Sequence, residues 1–205
     1  QGIAELSGDL YAAWGLYILR WDETNDKWDF VYTRTGSADT VTSIVEFNGN
    51  IFVAFGGTGF TIPHIDTAYV YGSGTTWTIS TATGDEKFAH TFMVSRRQLW
   101  KSRWDSADVT HYALNVASNG VNGSDDWKTD GNEYFVGSSD RLITGMYSFR
   151  DSIIVGKEDG LYFYLRNYAD GAAADLFLNV TNEFDSMPDA ENFQRGEEYK
   201  GHLFL

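Results

Sequence analysis

The sequence predicts an all-β chain, a β-propeller of four-stranded antiparallel blades at about 50 residues per repeat. Three observations carry the prediction. Trp28, Trp77, Trp127 and Leu176 recur at intervals of about 50 residues, each after a short polar turn and each opening an alternating apolar segment: WDFVYT, WTIST, WKTD and LFLNVT. A hairpin signature runs in step with them, an apolar residue, three turn formers and another apolar residue, as Leu6-SGD-Leu10, Phe47-NGN-Ile51, Phe149-RDS-Ile153 and Tyr199-KGH-Leu203, with a weaker form at Ser95-RRQ-Leu99. β-branched and aromatic residues dominate throughout, and no segment longer than about ten residues shows a helical period.

The elements follow in order. A first blade over residues 1–35 holds the Leu6/Leu10 hairpin and ends on the strand that Trp28 opens. The second, 41–80, reads as TSIVEF, NIFVAF, TAYVYG and WTIS, with GGTGFTIPHIDTA as a long surface loop after Phe55, where added length costs little. The third, 88–130, is more polar and takes Trp127 as the start of its fourth strand. The fourth, 141–181, is the clearest: RLITGMYSF, SIIVGK, GLYFYLR and DLFLNV. Residues 193–205, FQRGEEYKGHLFL, supply the first two strands of a further blade. Because the N-terminal blade carries its own version of those strands, the two ends duplicate one another, and the chain reads as an incomplete ring. Such an arc exposes sheet edges and apolar faces that call for closure, an added segment or a partner subunit. The recurrent tryptophans read as packing between blades, where an aromatic side chain buries about 150–250 Å².

Composition narrows the function classes. With 42% hydrophobic and 16% aromatic residues the chain has the material for a substantial core. Its 15 basic and 29 acidic residues give a formal net charge of −14, which repels phosphate backbones and anionic membrane surfaces, so neither a nucleic-acid partner nor membrane insertion is expected. Arg96, Arg97, Lys101 and Arg103 form a small basic cluster that reads as solvated surface charge. The absence of cysteine excludes disulfides and thiolate zinc sites. No run of about 18 apolar residues is present to form a membrane-spanning helix.

No catalytic constellation, cofactor motif or metal site emerges. Gly74-Thr75-Thr76-Trp77 matches only the end of the sialidase Asp-box S-x-D-x-G-x-T-W, and Gly72 stands where its aspartate belongs. His64, His90, His111 and His202 lack metal-ligand spacing and read as surface or packing residues. The turn Asp22 to Asp26 shares only its charge with a calcium loop and reads as a solvated hairpin. Asn122-Gly-Ser124 and Asn179-Val-Thr181 fit the N-glycosylation pattern but are too short to carry a role.

Residues Val136 to Tyr164 combine a polar lead-in, Ile143-Thr144-Gly145-Met146, the apolar strand Ile153 to Val155, and Gly160-Leu161-Tyr162. This succession resembles the propeller-type repeats of structural proteins in tailed bacteriophages and related environmental viruses. The resemblance implies a virion component of tail or neck, or another extracellular assembly, serving as a rigid platform for contacts with other protein subunits or for host recognition. A second functional class stays open, a carbohydrate-binding or carbohydrate-active extracellular propeller that would meet a cell-surface glycan through its aromatics and the acidic loops Asp22 to Asp29 and Asp125 to Asp130.

Overall fold

The computed structural model describes residues 2–35, 40–56, 68–80, 89–95, 98–104, 111–116, 133–137, 143–149, 152–157, 160–165, 176–179, 197–200 and 202–204. Every regular element among them is a β-strand. The first sheet is β1 (Gly2–Leu6), β2 (Asp9–Trp14), β3 (Tyr17–Asp22) and β4 (Lys27–Thr33). The second is β5 (Thr40–Phe47), β6 (Asn50–Gly56), β7 (Val70–Ser73) and β8 (Thr76–Ile79). The third is β9 (Thr91–Ser95), β10 (Gln98–Trp104), β11 (His111–Val116) and β12 (Glu133–Phe135), and the fourth is β13 (Ile143–Phe149), β14 (Ser152–Lys157), β15 (Gly160–Leu165) and β16 (Leu176–Asn179). A two-stranded hairpin, β17 (Glu197–Tyr199) and β18 (His202–Phe204), follows. Each four-stranded sheet is an antiparallel meander with its strands in chain order.

Turn chemistry sets the registers. Phe47 pairs with Asn50 and Leu6 with Asp9, so the connections are the two-residue loops Asn48-Gly49 and Ser7-Gly8. Both residues of each loop have positive φ, 48° and 76° in one and 55° and 90° in the other. That is the mirror-image turn whose twist matches the flanking strands, and Asn and Gly tolerate it best. The third residue of the hairpin signature, Asp9 or Asn50, is therefore the first residue of the next strand rather than part of the loop.

The third sheet departs from expectation at its end. Its fourth strand is Glu133–Phe135, beyond the expected boundary at 130, and it pairs with Tyr112, Ala113 and Leu114 of β11. Trp127 and the acidic loop Asp125 to Asp130 lie outside the described residues, as do His64, Arg96, Arg97 and Asn122.

The core lies between sheets, in three clusters that follow the chain. Tyr11, Ala13 and Ile18 of the first sheet meet Val41, Ile44, Ile51, Val53, Phe55 and Val70 of the second. The other face of the second sheet, through Phe47, Phe52, Ala54 and Tyr69, packs on Ala89, Phe92 and Leu99 of the third sheet and its lead-in. Met93 and Trp100 on the far side of the third sheet, with Val136 just past β12, meet Ile143, Met146, Ile153, Val155 and Tyr162 of the fourth. The second and third sheets are thus buried on both faces, which is why β6 reads NIFVAFG with apolar residues in nearly continuous sequence instead of strict alternation. Contacts between consecutive sheets run through their first and second strands: β1 against β5, β5 against β9, β9 against β13 and β13 against β17. First strands gather, and fourth strands form the outer edges.

Candidate functional site

The described residues with the most distinctive chemistry are those that join sheets and those left on the outer face of the first sheet. At the first junction the amide of Gly74 donates to the Tyr11 hydroxyl at 2.9 Å, and Arg34 Nη1 donates to the Ala68 carbonyl at 2.6 Å while its guanidinium lies 5.0 Å from the centre of the Phe55 ring. At the second, Thr42 Oγ1 donates to the His90 carbonyl at 2.6 Å, and Ser43 Oγ accepts from the Phe92 amide at 3.0 Å. At the third, the Ser95 and Ser148 hydroxyls are 3.3 Å apart, and Lys157 Nζ donates to the Val136 carbonyl. Each apolar seam is therefore pinned by a few hydrogen bonds that fix how one sheet sits on the next.

Two lysines belong to these seams. Lys101, grouped by sequence with a solvated basic cluster, is fully buried, with its ammonium 5.1 Å from the centre of the Tyr69 ring on the second sheet. Lys157 is likewise buried and lies 5.8 Å from the Tyr162 ring centre. The physical reason is repeat position: Lys101 stands two residues beyond Leu99, where Val53 and Val155 stand in the second and fourth sheets, and that position faces the preceding sheet. A long stem and a cation over an aromatic face are compatible with that apolar setting.

Two of the repeat marks, Trp77 and Trp28, have different surroundings. Trp77 opens β8, reaches back to the first sheet with its ring 6.3 Å from Tyr11 and 5.8 Å from Tyr32, and donates its indole N–H to the Gly74 carbonyl at 3.1 Å. Trp28, at the same place in the first sheet, is not packed between sheets. It lies on the outer face, exposed, against Trp21 of its own sheet at 5.4 Å. Leu176 begins β16.

Position 72 settles the Asp-box comparison. A Cβ on Gly72 would lie 2.1 Å from the backbone oxygen of Thr76 and 2.9 Å from the Trp77 Cα, so the hairpin from β7 to β8 has no room for an aspartate there. The acidic turn is also accounted for. Asp22 Oδ1 accepts from the amides of Thr24 and Asn25, and Oδ2 accepts from the Asn25 side chain at 2.6 Å. The Asn25 hydrogen bond above all holds the Asp22 carboxyl below its usual range. Among the described residues no group of three or more His, Cys, Asp or Glu side chains is placed to hold a metal ion.

Two further titratable groups are perturbed. Packing around the half-buried His90 removes water from the ring and lowers its pKa to about 4. Burial raises the Tyr147 hydroxyl well above its ordinary range. His202 is exposed.

No protein-family model matches the chain, and no curated protein matches it. Among solved structures it is similar to the extracellular domain of the hybrid two-component system BT4673 from B. thetaiotaomicron, with 11% identity over 88% of this chain and a TM-score of 0.54. A second structure of the BT4673 extracellular domain matches at 12% identity over 82% of this chain, with a TM-score of 0.53. PorZ, a surface component of the type-IX secretion system of Porphyromonas gingivalis, matches at 13% identity over 80% of the chain, with a TM-score of 0.49. The chain spans 22%, 21% and 24% of these three structures, and at such identities the likeness is one of fold.

Proposed function

We propose that the chain is a run of β-propeller blades acting as a non-enzymatic interaction module of a larger extracellular assembly. The observation that carries this reading is the order of the inter-sheet cores: consecutive four-stranded meanders pack face to face through three seams, with their first strands gathered and their fourth strands outermost. Radially arranged blades have that geometry, and the exposed outer face of the first sheet makes the described sheets an arc. The extracellular place of the BT4673 domain supports an extracellular setting for this chain. The bacterial neighbours add no support to the virion setting that the repeat at Ile143 to Tyr162 implies.

A rigid module of this kind works by presenting edges and loops to other proteins, and its buried seams supply the rigidity. Affinity purification through a tag on this chain, followed by cross-linking, is expected to recover protein subunits bound to it. Incubation with polysaccharide substrates is expected to release no product. Measured hydrolysis or lyase turnover that depends on residues of this chain would sink the reading.

A second reading, a glycan-binding propeller, draws on one observation. Trp21 with Trp28 and Tyr17 with Phe30 form edge-to-face pairs on the outer face of the first sheet, at ring-centre distances of 5.4 Å and 5.2 Å. Aromatic faces of this sort can stack on sugar rings. A glycan array without a hit would remove it.

A further inference from the structure

We infer that the corner where a fourth strand leaves its sheet is a keyed joint. It takes one cation, supplied by either of the two sheets that meet there, and so restricts which sheet can follow which.

Two register places define the corner. The first is the residue just past the fourth strand: Arg34 after β4, Ser80 after β8 and Val136 after β12. The amides of Arg34 and Ser80 donate to the carbonyls of Leu16 and Tyr69, the residues just before the third strands, at 3.0 Å and 2.9 Å, so the equivalence is one of backbone as well as of order. The second place lies on the second strand of the following sheet. It is held by Phe55, Arg103 and Lys157, each five residues beyond the residue that opens its strand, Asn50, Gln98 and Ser152. Phe55 and Lys157 pair with Val41 and Ile143, each just before a bulge in the first strand.

The two places meet at the first seam and again at the third. At the first, the Arg34 guanidinium lies 5.0 Å from the centre of the Phe55 ring and Nη1 donates to the Ala68 carbonyl. At the third the roles are exchanged, and the fully buried Lys157 donates to the Val136 carbonyl. The cation comes from the preceding sheet in one case and from the following sheet in the other. The second seam has Ser80 and Arg103 at these places, again one cation in the pair.

The setting favours one cation over two or none. A second would oppose the first in a poorly hydrated seam, where like charges repel far more than in water. None would leave a carbonyl at the seam without its charged donor. The first sheet, which ends on Arg34, is therefore fitted to a neighbour with Phe55 at the corner, and not to the third or fourth sheet, which bring Arg103 and Lys157. The second and third sheets, ending on Ser80 and Val136, are fitted to those cationic neighbours. Stacked repeats of similar shape can assemble out of order during folding, and this joint makes the second sheet recognise the first.

The test moves the third seam's pair into the first. Phe55→Lys and Phe55→Met are each made in the native chain and in Arg34→Val, on all 205 residues, and urea unfolding is followed by tryptophan emission. With Arg34 present, Phe55→Lys is expected to have a folding equilibrium constant about 10-fold or more below that of Phe55→Met. In Arg34→Val the order is expected to reverse, with Phe55→Lys the more stable. Packing alone would not reverse it, since the same two side chains fill the same place in both backgrounds. An unchanged order overturns the inference. Should Phe55→Lys fail to fold beside Arg34, the two double variants decide: Phe55→Lys must then be the more stable in Arg34→Val, and the opposite result overturns the joint. A second arm examines the third seam, where Val136→Arg is expected to cost more beside Lys157 than in Lys157→Phe. Equal losses in the two backgrounds count against the joint there.

Discussion

Phe52→Ala is expected to be among the most damaging single substitutions in the chain. Phe52 is 1% exposed on the face of the second sheet that meets the third. Its ring stacks on Tyr71 at 5.4 Å and 15° and meets Phe92 of the third sheet edge-on at 5.8 Å; Phe47 and Tyr69 lie at 6.3 Å and 6.2 Å. Truncation leaves a cavity bounded by four other aromatic rings whose β-sheet backbones cannot collapse inward. The loss should be about 3–5 kcal/mol, and for a domain of this size that lowers the melting temperature by about 6–20 °C. The effect should also be directional. In an array of stacked units, stability divides into terms within units and terms between neighbours. Weakening the second seam should therefore separate unfolding of the first two sheets from unfolding of the rest, and urea titration followed by hydrogen exchange would show two transitions. Phe30→Ala is the comparison, because Phe30 is 67% exposed and its removal should cost under about 1 kcal/mol. Equal costs for the two substitutions would refute the assignment of the core to the seams.

Three other outcomes are expected. Gly72→Ala should destabilise by more than about 3 kcal/mol in thermal melts, because the added Cβ meets backbone at 2.1 Å and no side-chain rotation relieves it. With the folded pKa of His90 lowered from 6.5 to about 4, the unfolded chain binds a proton in that window that the folded chain does not. Stability should thus be lost as pH falls from 6.5 towards 4, by at most about 3 kcal/mol, and His90→Gln should flatten the slope in denaturant titrations. Lys157→Ala should cost about 2–4 kcal/mol by opening a void and removing the donor to the Val136 carbonyl, whereas Lys157→Met, which refills the stem's volume, should cost less by chemical denaturation.

The repeat unit was legible because each sheet is local. Asn48-Gly49 requires a two-residue turn, the turn sets the register of β5 and β6, and the same logic holds at Ser7-Gly8. Environment was less legible, because it depends on what lies against a face. Trp28 and Trp77 occupy the same repeat position, yet one is covered by tyrosines and the other lies open, a difference set by the neighbouring sheet and not by local sequence. Lys101 misled for the same reason. Its charge reads as surface, while its place two residues past Leu99 puts it against the second sheet, a signal visible only once the repeats are aligned.

The seams have a consequence for how the chain folds. Among the described strands, extensive contacts join only members of one sheet or of consecutive sheets. No described strand pairs with one from the far end of the polypeptide, so the closure entropy that slows many β-proteins stays small for these sheets. A chain growing from the ribosome can complete one meander, expose its apolar face briefly, and have that face covered by the next meander to emerge. Vectorial synthesis then becomes a sequence of short templating events, in which each seam closes as soon as its second sheet is made.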